Sequence, residues 1–123
     1  MALTLHAAGY DVWLANTRGN KYSCKHAQKP HDSHAFWDFS LDQYALVDVP
    51  DTIDYVLGIS GHSSLTYIGF SQGTTVGFAA LALSPALNAK INLFIALAAV
   101  MRPSGTPFII DLQIANCKNQ RLT

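Results

Sequence analysis

The chain has 123 residues, of which half are hydrophobic and only 13 % are charged, and its eight basic and eight acidic side chains cancel. This composition excludes an intrinsically disordered chain, and the absence of a basic excess argues against a nucleic-acid-binding protein. Two cysteines are too few for a disulfide-rich scaffold. A domain of this size needs a large polar surface, so the low charge is typical of the interior of something larger.

The sequence shows neither a clear signal peptide nor a clear membrane-spanning stretch. The first ten residues lack the basic start of a signal peptide. The longest apolar stretches, near residues 76–83 and 93–101, are shorter than the ~20 residues of a membrane-spanning helix. We therefore expect buried core in both stretches, and the localisation of the protein stays open.

The first elements are predicted from local patterns. Residues 2–8 fit the last turns of a helix, and the apolar, aromatic-rich run at 10–15 favours a strand. The polar stretch 16–39 is expected to form a long loop. Apolar residues then recur at three- and four-residue spacing over 41–57, which predicts a helix that Pro50 should kink or split.

The later elements alternate in type. Strands are predicted at 64–69 and 91–97, with a helix from Ser71 to about Leu83 between them and a break at Ser84. Strands that alternate with helices indicate βαβ units, so we expect an α/β fold with a parallel sheet and helices on both faces. Residues 1–101 carry this pattern. Residues 102–123 are predicted to be an irregular tail.

The pentapeptide at positions 69–73, Gly-Phe-Ser-Gln-Gly, fits the pattern Gly-x-Ser-x-Gly. It follows a predicted strand and opens a predicted helix, which is the context of a nucleophile elbow. In that turn Ser71 is the nucleophile and the N–H of Gln72 helps to hold the oxyanion. Side chains at positions 69 and 73 would crowd Ser71, which explains why Gly69 and Gly73 are expected there. The simpler interpretation is a glycine turn with Ser71 as a helix cap, and a phosphate-binding loop fits less well.

Three blocks of the sequence resemble the acid lipase family of α/β-hydrolases, which includes gastric and lysosomal lipases and fungal steryl ester hydrolases. They are residues 8–20 (AGYDVWLANTRGN), residues 36–40 (FWDFS) with aspartates downstream, and residues 67–75 (YIGFSQGTT). With residues 91–100 the resemblance covers about 3–101. Phe70 departs from the family, which typically has histidine there.

The resemblance implies a serine ester hydrolase that acts on neutral lipids, triacylglycerols or sterol esters, at a lipid surface, without a metal or another cofactor. It implies Ser71 as nucleophile and Gln72 as an oxyanion donor. The family places the acid and the histidine of the triad after the serine, but all five histidines here precede Ser71, and Asp111 is the one acidic residue after it. We therefore expect a central part of a hydrolase domain that is inactive or nearly so as this chain. The alternatives are an acyl-binding or unstable non-catalytic product.

Other polar groups carry weaker signals. Cys24, His26, His31 and His34 lie close in sequence, but their spacing fits no paired zinc pattern, and a solvated loop is the preferred interpretation. Arg18 and Asn20 follow a predicted strand end and either line the active-site crevice or stabilise the loop. The aspartates between 38 and 54 are interpreted as helix caps and surface charges.

Overall fold

The structure, a computed structural model, describes residues 1–101. The predicted tail, 102–123, lies outside the described residues, so the boundary at residue 101 stays a prediction. In chain order the elements are α1 (Ala2–Ala7), α2 (Leu41–Gln43), a π-helical segment (Tyr44–Asp48), α3 (Val49–Ser60), β1 (Leu65–Phe70), α4 (Gln72–Leu83), α5 (Pro85–Asn88) and β2 (Ile91–Leu97).

The two strands pair in parallel, with Thr66 opposite Leu93 and Phe70 opposite Leu97. The chain returns from β1 to β2 through α4 and α5, so this part of the molecule is a βαβ unit. The predicted α/β class with a parallel sheet is confirmed.

Helix α4 lies very close to one face of the sheet because Gly77 has no side chain. A Cβ at Gly77 would lie 2.8 Å from the Phe94 ring and 2.9 Å from the Tyr67 ring. On the opposite face Phe70, Leu93 and Ile95 are exposed. Within residues 1–101, helices therefore cover one face of the sheet and leave an apolar face open.

The prediction of a strand at residues 10–15 is wrong for the described part of the chain. These residues lie in no helix or strand, and Tyr10 and Leu14 are largely exposed. A strand is stabilised by its ladder with a neighbour, and within residues 1–101 β1 and β2 pair only with each other. The apolar, aromatic-rich composition alone does not supply that neighbour.

The helical run around Pro50 is distorted but not split, because it stays helical from Leu41 to Ser60. Ser40 begins it with a capping box, in which its hydroxyl accepts from the Asp42 N–H at 3.1 Å and its own N–H donates to Gln43 at 2.7 Å. Pro50 lacks an N–H and would clash with the carbonyl one turn earlier in an unbroken α-helix. The run instead widens to the π-helical segment just before Pro50 and resumes as α3.

The core lies between the helical run 41–60 and α4. It is formed by seven buried side chains: Tyr44, Ala45, Val49, Ile53, Val76, Ala80 and Leu87. These residues come from the π-helical segment, α3, α4 and α5, and Leu65, Tyr67 and Ile91 of the strands pack against them, so the core joins α4 both to the preceding helices and to the sheet. The amino end of α4 is thereby held at the carboxyl end of β1, where Ser71 lies.

Candidate active site

Ser71 forms the turn between β1 and α4. Its backbone has φ 50° and ψ −116°, which is rare for a residue with a side chain. The Ser71 N–H donates to the Leu97 carbonyl at 3.0 Å, so the pairing with β2 continues one residue beyond the strand. The sequence thus positions a half-buried serine in the strained turn typical of a nucleophile elbow.

Gly69 is required by this turn, and Gly73 is not required in the same way. A Cβ at Gly69 would lie 2.8 Å from the Gly73 carbonyl oxygen and 2.9 Å from its carbon. A Cβ at Gly73 would meet no atom of the described residues within 4 Å apart from its chain neighbours and its own helix backbone. The steric need at Gly69 thus comes from the backbone of Gly73 and not from Ser71. That both glycines make room for Ser71 stays a prediction.

Gln72 is the first residue of α4. Its backbone N–H therefore lies at the positive end of the helix dipole, where a developing negative charge is favoured. The peptide that carries this N–H also carries the Ser71 carbonyl, which accepts from the Thr74 N–H at 2.9 Å and from the Thr74 hydroxyl at 2.6 Å.

Tyr67 supports the same turn from the strand. Its hydroxyl donates to the Gly73 carbonyl at 3.0 Å, and its ring packs edge-on against Phe94. Burial raises the pKa of the Tyr67 phenol, because the charged phenolate would lose its hydration. The phenol thus stays a hydrogen-bond donor to the elbow.

No histidine of the described residues bonds the Ser71 hydroxyl. His62 precedes β1, and the six residues of the strand separate it from Ser71 by about 20 Å. His6 lies in α1, and three histidines lie in the loop that precedes α2. The described part of the chain thus brings together Gly69, Ser71, Gln72 and Gly73, and it brings no base to them.

The loop that precedes α2 is held by polar contacts of its own. The Arg18 guanidinium and backbone N–H bond the Asp48 carboxylate at 2.6–2.8 Å. The Asn20 side chain accepts from the N–H groups of Tyr22 and Ser23 at 2.8 and 3.0 Å. Arg18 and Asn20 therefore stabilise the loop. Asp48 is not a surface charge, because its half-buried carboxylate pairs with Arg18 across 30 positions of sequence.

One histidine side chain of this loop, that of His26, holds the loop backbone. His26 Nδ1 accepts from the N–H groups of Gln28 and Lys29 at 3.0 Å each, and the His31 carbonyl accepts from the Trp37 indole. A cavity of about 300 Å³ lies beside Arg18, His26, and Asp48. Residues 1–101 contain no group of three His, Cys, Asp or Glu side chains placed to hold a metal ion. In the same range no helix is long and apolar enough to cross a membrane.

Sequence reasoning missed Thr74. Its side chain is fully buried, and its hydroxyl accepts from the Val100 N–H at 2.9 Å while it donates to Ser71. The partner lies 26 residues away, so only the pairing of β1 with β2 brings the two together. The one sequence feature that could have pointed to Thr74 is the pair of threonines, Thr74 and Thr75, directly after the elbow.

Comparison with known proteins agrees with this geometry. The profile of the α/β-hydrolase fold family matches residues 1–116. A probable lipase of Schizosaccharomyces pombe is 58 % identical over 97 residues, which are 79 % of this chain and 21 % of the relative. The gastric triacylglycerol lipase of Bos taurus is 49 % identical over 100 residues, which are 81 % of this chain and 25 % of that protein.

The human gastric triacylglycerol lipase is 43 % identical over 111 residues, which are 90 % of this chain and 28 % of the relative. The chain thus spans about a quarter of the length of these curated relatives. The strand–elbow–helix unit, the parallel pairing and the family match together show that the chain belongs to the α/β-hydrolase fold family.

Proposed function

We propose that this chain supplies the nucleophile and one oxyanion donor of a serine ester hydrolase acting on neutral lipids. Ser71 Oγ attacks the ester carbonyl carbon, and the alcohol leaves with a proton. The acyl group stays on Ser71 until water releases it as a carboxylic acid. The observation that carries the proposal is the φ of 50° at Ser71, in a turn directly between β1 and α4.

The strained turn is hard to explain by capping alone. A Ser side chain that only capped α4 would accept from an N–H of the first turn with an extended backbone. Here the Ser71 side chain forms no cap hydrogen bond, and its φ is positive. Strain of this kind persists where the surroundings hold it, and it is common at reactive residues.

The proposed chemistry needs a histidine base and a carboxylate that orients it. All five histidines precede Ser71 in sequence, and none bonds its hydroxyl among the described residues. We therefore propose that the 123-residue chain by itself is inactive or nearly so, and that the base is contributed by residues other than these 101.

A chimera tests the nucleophile directly. The matching segment of the bovine gastric triacylglycerol lipase is replaced by this chain's residues, and hydrolysis of a triolein emulsion is measured. We expect hydrolysis that falls by about four orders of magnitude or more in Ser71→Ala, because the covalent route is lost. Ser63→Ala, at an exposed serine before β1, is the matched control and should leave the rate unchanged.

Two results would contradict the proposal. One is a folded chimera, judged by circular dichroism and melting temperature, that hydrolyses no ester. The other is hydrolysis that survives Ser71→Ala. Cholesteryl oleate tested beside triolein separates the two proposed substrate classes, because a sterol ester needs a pocket for a rigid ring system.

The isolated chain is tested with a fluorophosphonate probe that reacts with activated serines. We expect little labelling of the 123-residue chain, since an unassisted serine hydroxyl is a weak nucleophile. Strong labelling that disappears in Ser71→Ala would overturn the expected inactivity while it supported Ser71 as nucleophile.

A further inference from the structure

We propose that Thr74 is a positioning residue that aims the Gln72 N–H at the oxyanion, an inference that rests on the proposed function. Thr74 is fully buried at the start of α4, and its hydroxyl has a partner on each side. It donates to the Ser71 carbonyl at 2.6 Å and accepts from the Val100 N–H at 2.9 Å.

The first bond sets the direction of the oxyanion donor. A trans peptide is planar, and its C=O and N–H point in opposite directions. The Ser71 carbonyl and the Gln72 N–H belong to one such peptide. The Thr74 hydroxyl holds this carbonyl together with the Thr74 N–H, and the two bonds fix the line along which the Gln72 N–H points to the other side of the turn.

The second bond anchors the hydroxyl itself. Threonines in helices often bond a carbonyl three residues earlier, so the contact with Ser71 alone would be ordinary. The Val100 N–H is different because it comes from the chain after β2, 26 residues away. The Val100 N–H donates to the Thr74 oxygen, so the Thr74 hydroxyl proton is left to point at the Ser71 carbonyl.

The chain after β2 is held strongly enough to serve as this anchor. Ala98 has φ 50°, in the left-handed region that side chains rarely adopt. The Val100 carbonyl accepts from the Thr75 hydroxyl, so both peptide groups of Val100 are bonded to the first turn of α4. The Ser71 N–H also bonds the Leu97 carbonyl. The elbow and this turn therefore form one unit, and Thr74 joins them.

The test separates aiming from stability by measuring kcat and KM in the chimera, per active site titrated. Thr74→Val keeps the volume of the side chain and removes the hydroxyl. We expect kcat to fall roughly ten-fold or more with KM nearly unchanged, because an oxyanion donor acts in the transition state. Thr74→Ser, which keeps the hydroxyl, should restore kcat to within about three-fold of the parent.

Two matched variants isolate the route. Thr66→Val removes an exposed hydroxyl of β1 that bonds Asn92 at 2.9 Å, and it should leave kcat unchanged. Thr75→Val removes the bond from the Thr75 hydroxyl to the Val100 carbonyl. It leaves the bond from the Thr74 hydroxyl to Ser71 in place, so its loss of kcat should be much smaller than that of Thr74→Val. If Thr74→Val does not fold, Thr74→Cys takes its place, since a thiol is a weaker donor of similar size.

Amide hydrogen exchange on the 123-residue chain gives a readout that needs no activity. In Thr74→Val the Val100 amide should exchange at least about ten-fold faster, because it loses its acceptor, while Thr66→Val leaves it unchanged. Unchanged exchange, or an unchanged kcat per titrated site in Thr74→Val, would overturn the inference while Ser71→Ala still tested the proposed function. Hydrolysis that survives Ser71→Ala would instead overturn the proposed function.

Discussion

At Ser71 the backbone takes a conformation that costs free energy, and its neighbours compensate by close contacts that tolerate little change. The Gly69 α-carbon faces the Gly73 carbonyl at a distance that leaves no room for a methyl group. The Ser71 N–H and carbonyl are both bonded, to Leu97 and to Thr74. The turn is thus over-determined by bonds on each side, which is the condition for strain to persist.

Two alanine substitutions should distinguish the two elbow glycines. Gly69→Ala places a methyl group 2.8 Å from the Gly73 carbonyl oxygen, so we expect a loss of about 1–3 kcal/mol in the free energy of unfolding. Gly73→Ala meets nothing within 4 Å in the described part apart from its chain neighbours and its own helix backbone, and it lies in a helix, so a neutral or stabilising change of up to about 1 kcal/mol is expected. Urea unfolding measures both, and equal losses would contradict the steric argument.

Tyr67 makes the stability of the elbow depend on alkaline pH. Burial raises the pKa of its phenol above the ordinary value of about 10. As the pH rises past that value, the unfolded chain loses the proton first, so the free energy of unfolding falls. This contribution is complete below about pH 10 and is lost as the pH approaches the raised pKa.

Tyr67→Phe should remove part of this alkaline loss and cost about 1 kcal/mol at neutral pH, because the hydrogen bond to Gly73 disappears. The rest of the alkaline loss is expected from Tyr44, whose pKa is also raised. Burial is the main cause and the Asp48 charge a smaller one, while the Arg18 charge opposes the shift. Thermal melts between neutral pH and pH 11 give the comparison, with the exposed Tyr10→Phe as control. An alkaline slope identical to the parent's would contradict the assignment to Tyr67.

At the scale of elements, the sequence predicts what depends on near neighbours. The strands near 64–69 and 91–97, the helix after Ser71 and its end at Ser84 follow from local apolar patterns and from Pro85. Pro50 predicts a distorted helix, but no local pattern predicts that the distortion is a π-helical segment with Tyr44 and Ala45 buried in the core. The motif likewise identifies Ser71 and Gln72 as candidates.

What the sequence cannot predict depends on partners far along the chain. The run at 10–15 has the composition of a strand, but a strand also needs a neighbouring edge. Asp48 resembles a surface charge until the fold brings Arg18 to it. Thr74 resembles an ordinary helix residue until the parallel pairing brings Val100 within hydrogen-bond distance.

At the scale of the whole molecule, the dominant feature is the face of the sheet that stays open within residues 1–101. Phe70, Leu93 and Ile95 are exposed side by side opposite α4, at 68 %, 54 % and 37 %, and form a contiguous apolar surface. Such surfaces are uncommon on isolated monomers because they promote association. The 123-residue chain by itself should therefore self-associate.

Sedimentation velocity over a concentration series tests this expectation. The double variant Leu93→Lys with Ile95→Lys should shift the chain towards monomer, because charges on the open face oppose its burial. Leu3→Lys, at an equally apolar and more exposed position of α1, should leave the association unchanged. A chain that sediments as a monomer and melts cooperatively would contradict this interpretation.

The hydrogen bond from the Ser71 N–H to Leu97 extends the ladder of the sheet by one rung, and that rung belongs to the reactive residue. Many enzymes carry their reactive groups on loops that open long before the protein unfolds. Here the serine cannot leave its position unless the strands begin to separate. On heating, the turn at Ser71 and the sheet should therefore unfold in a single transition. No folded intermediate that has lost the geometry of Ser71 is expected between them.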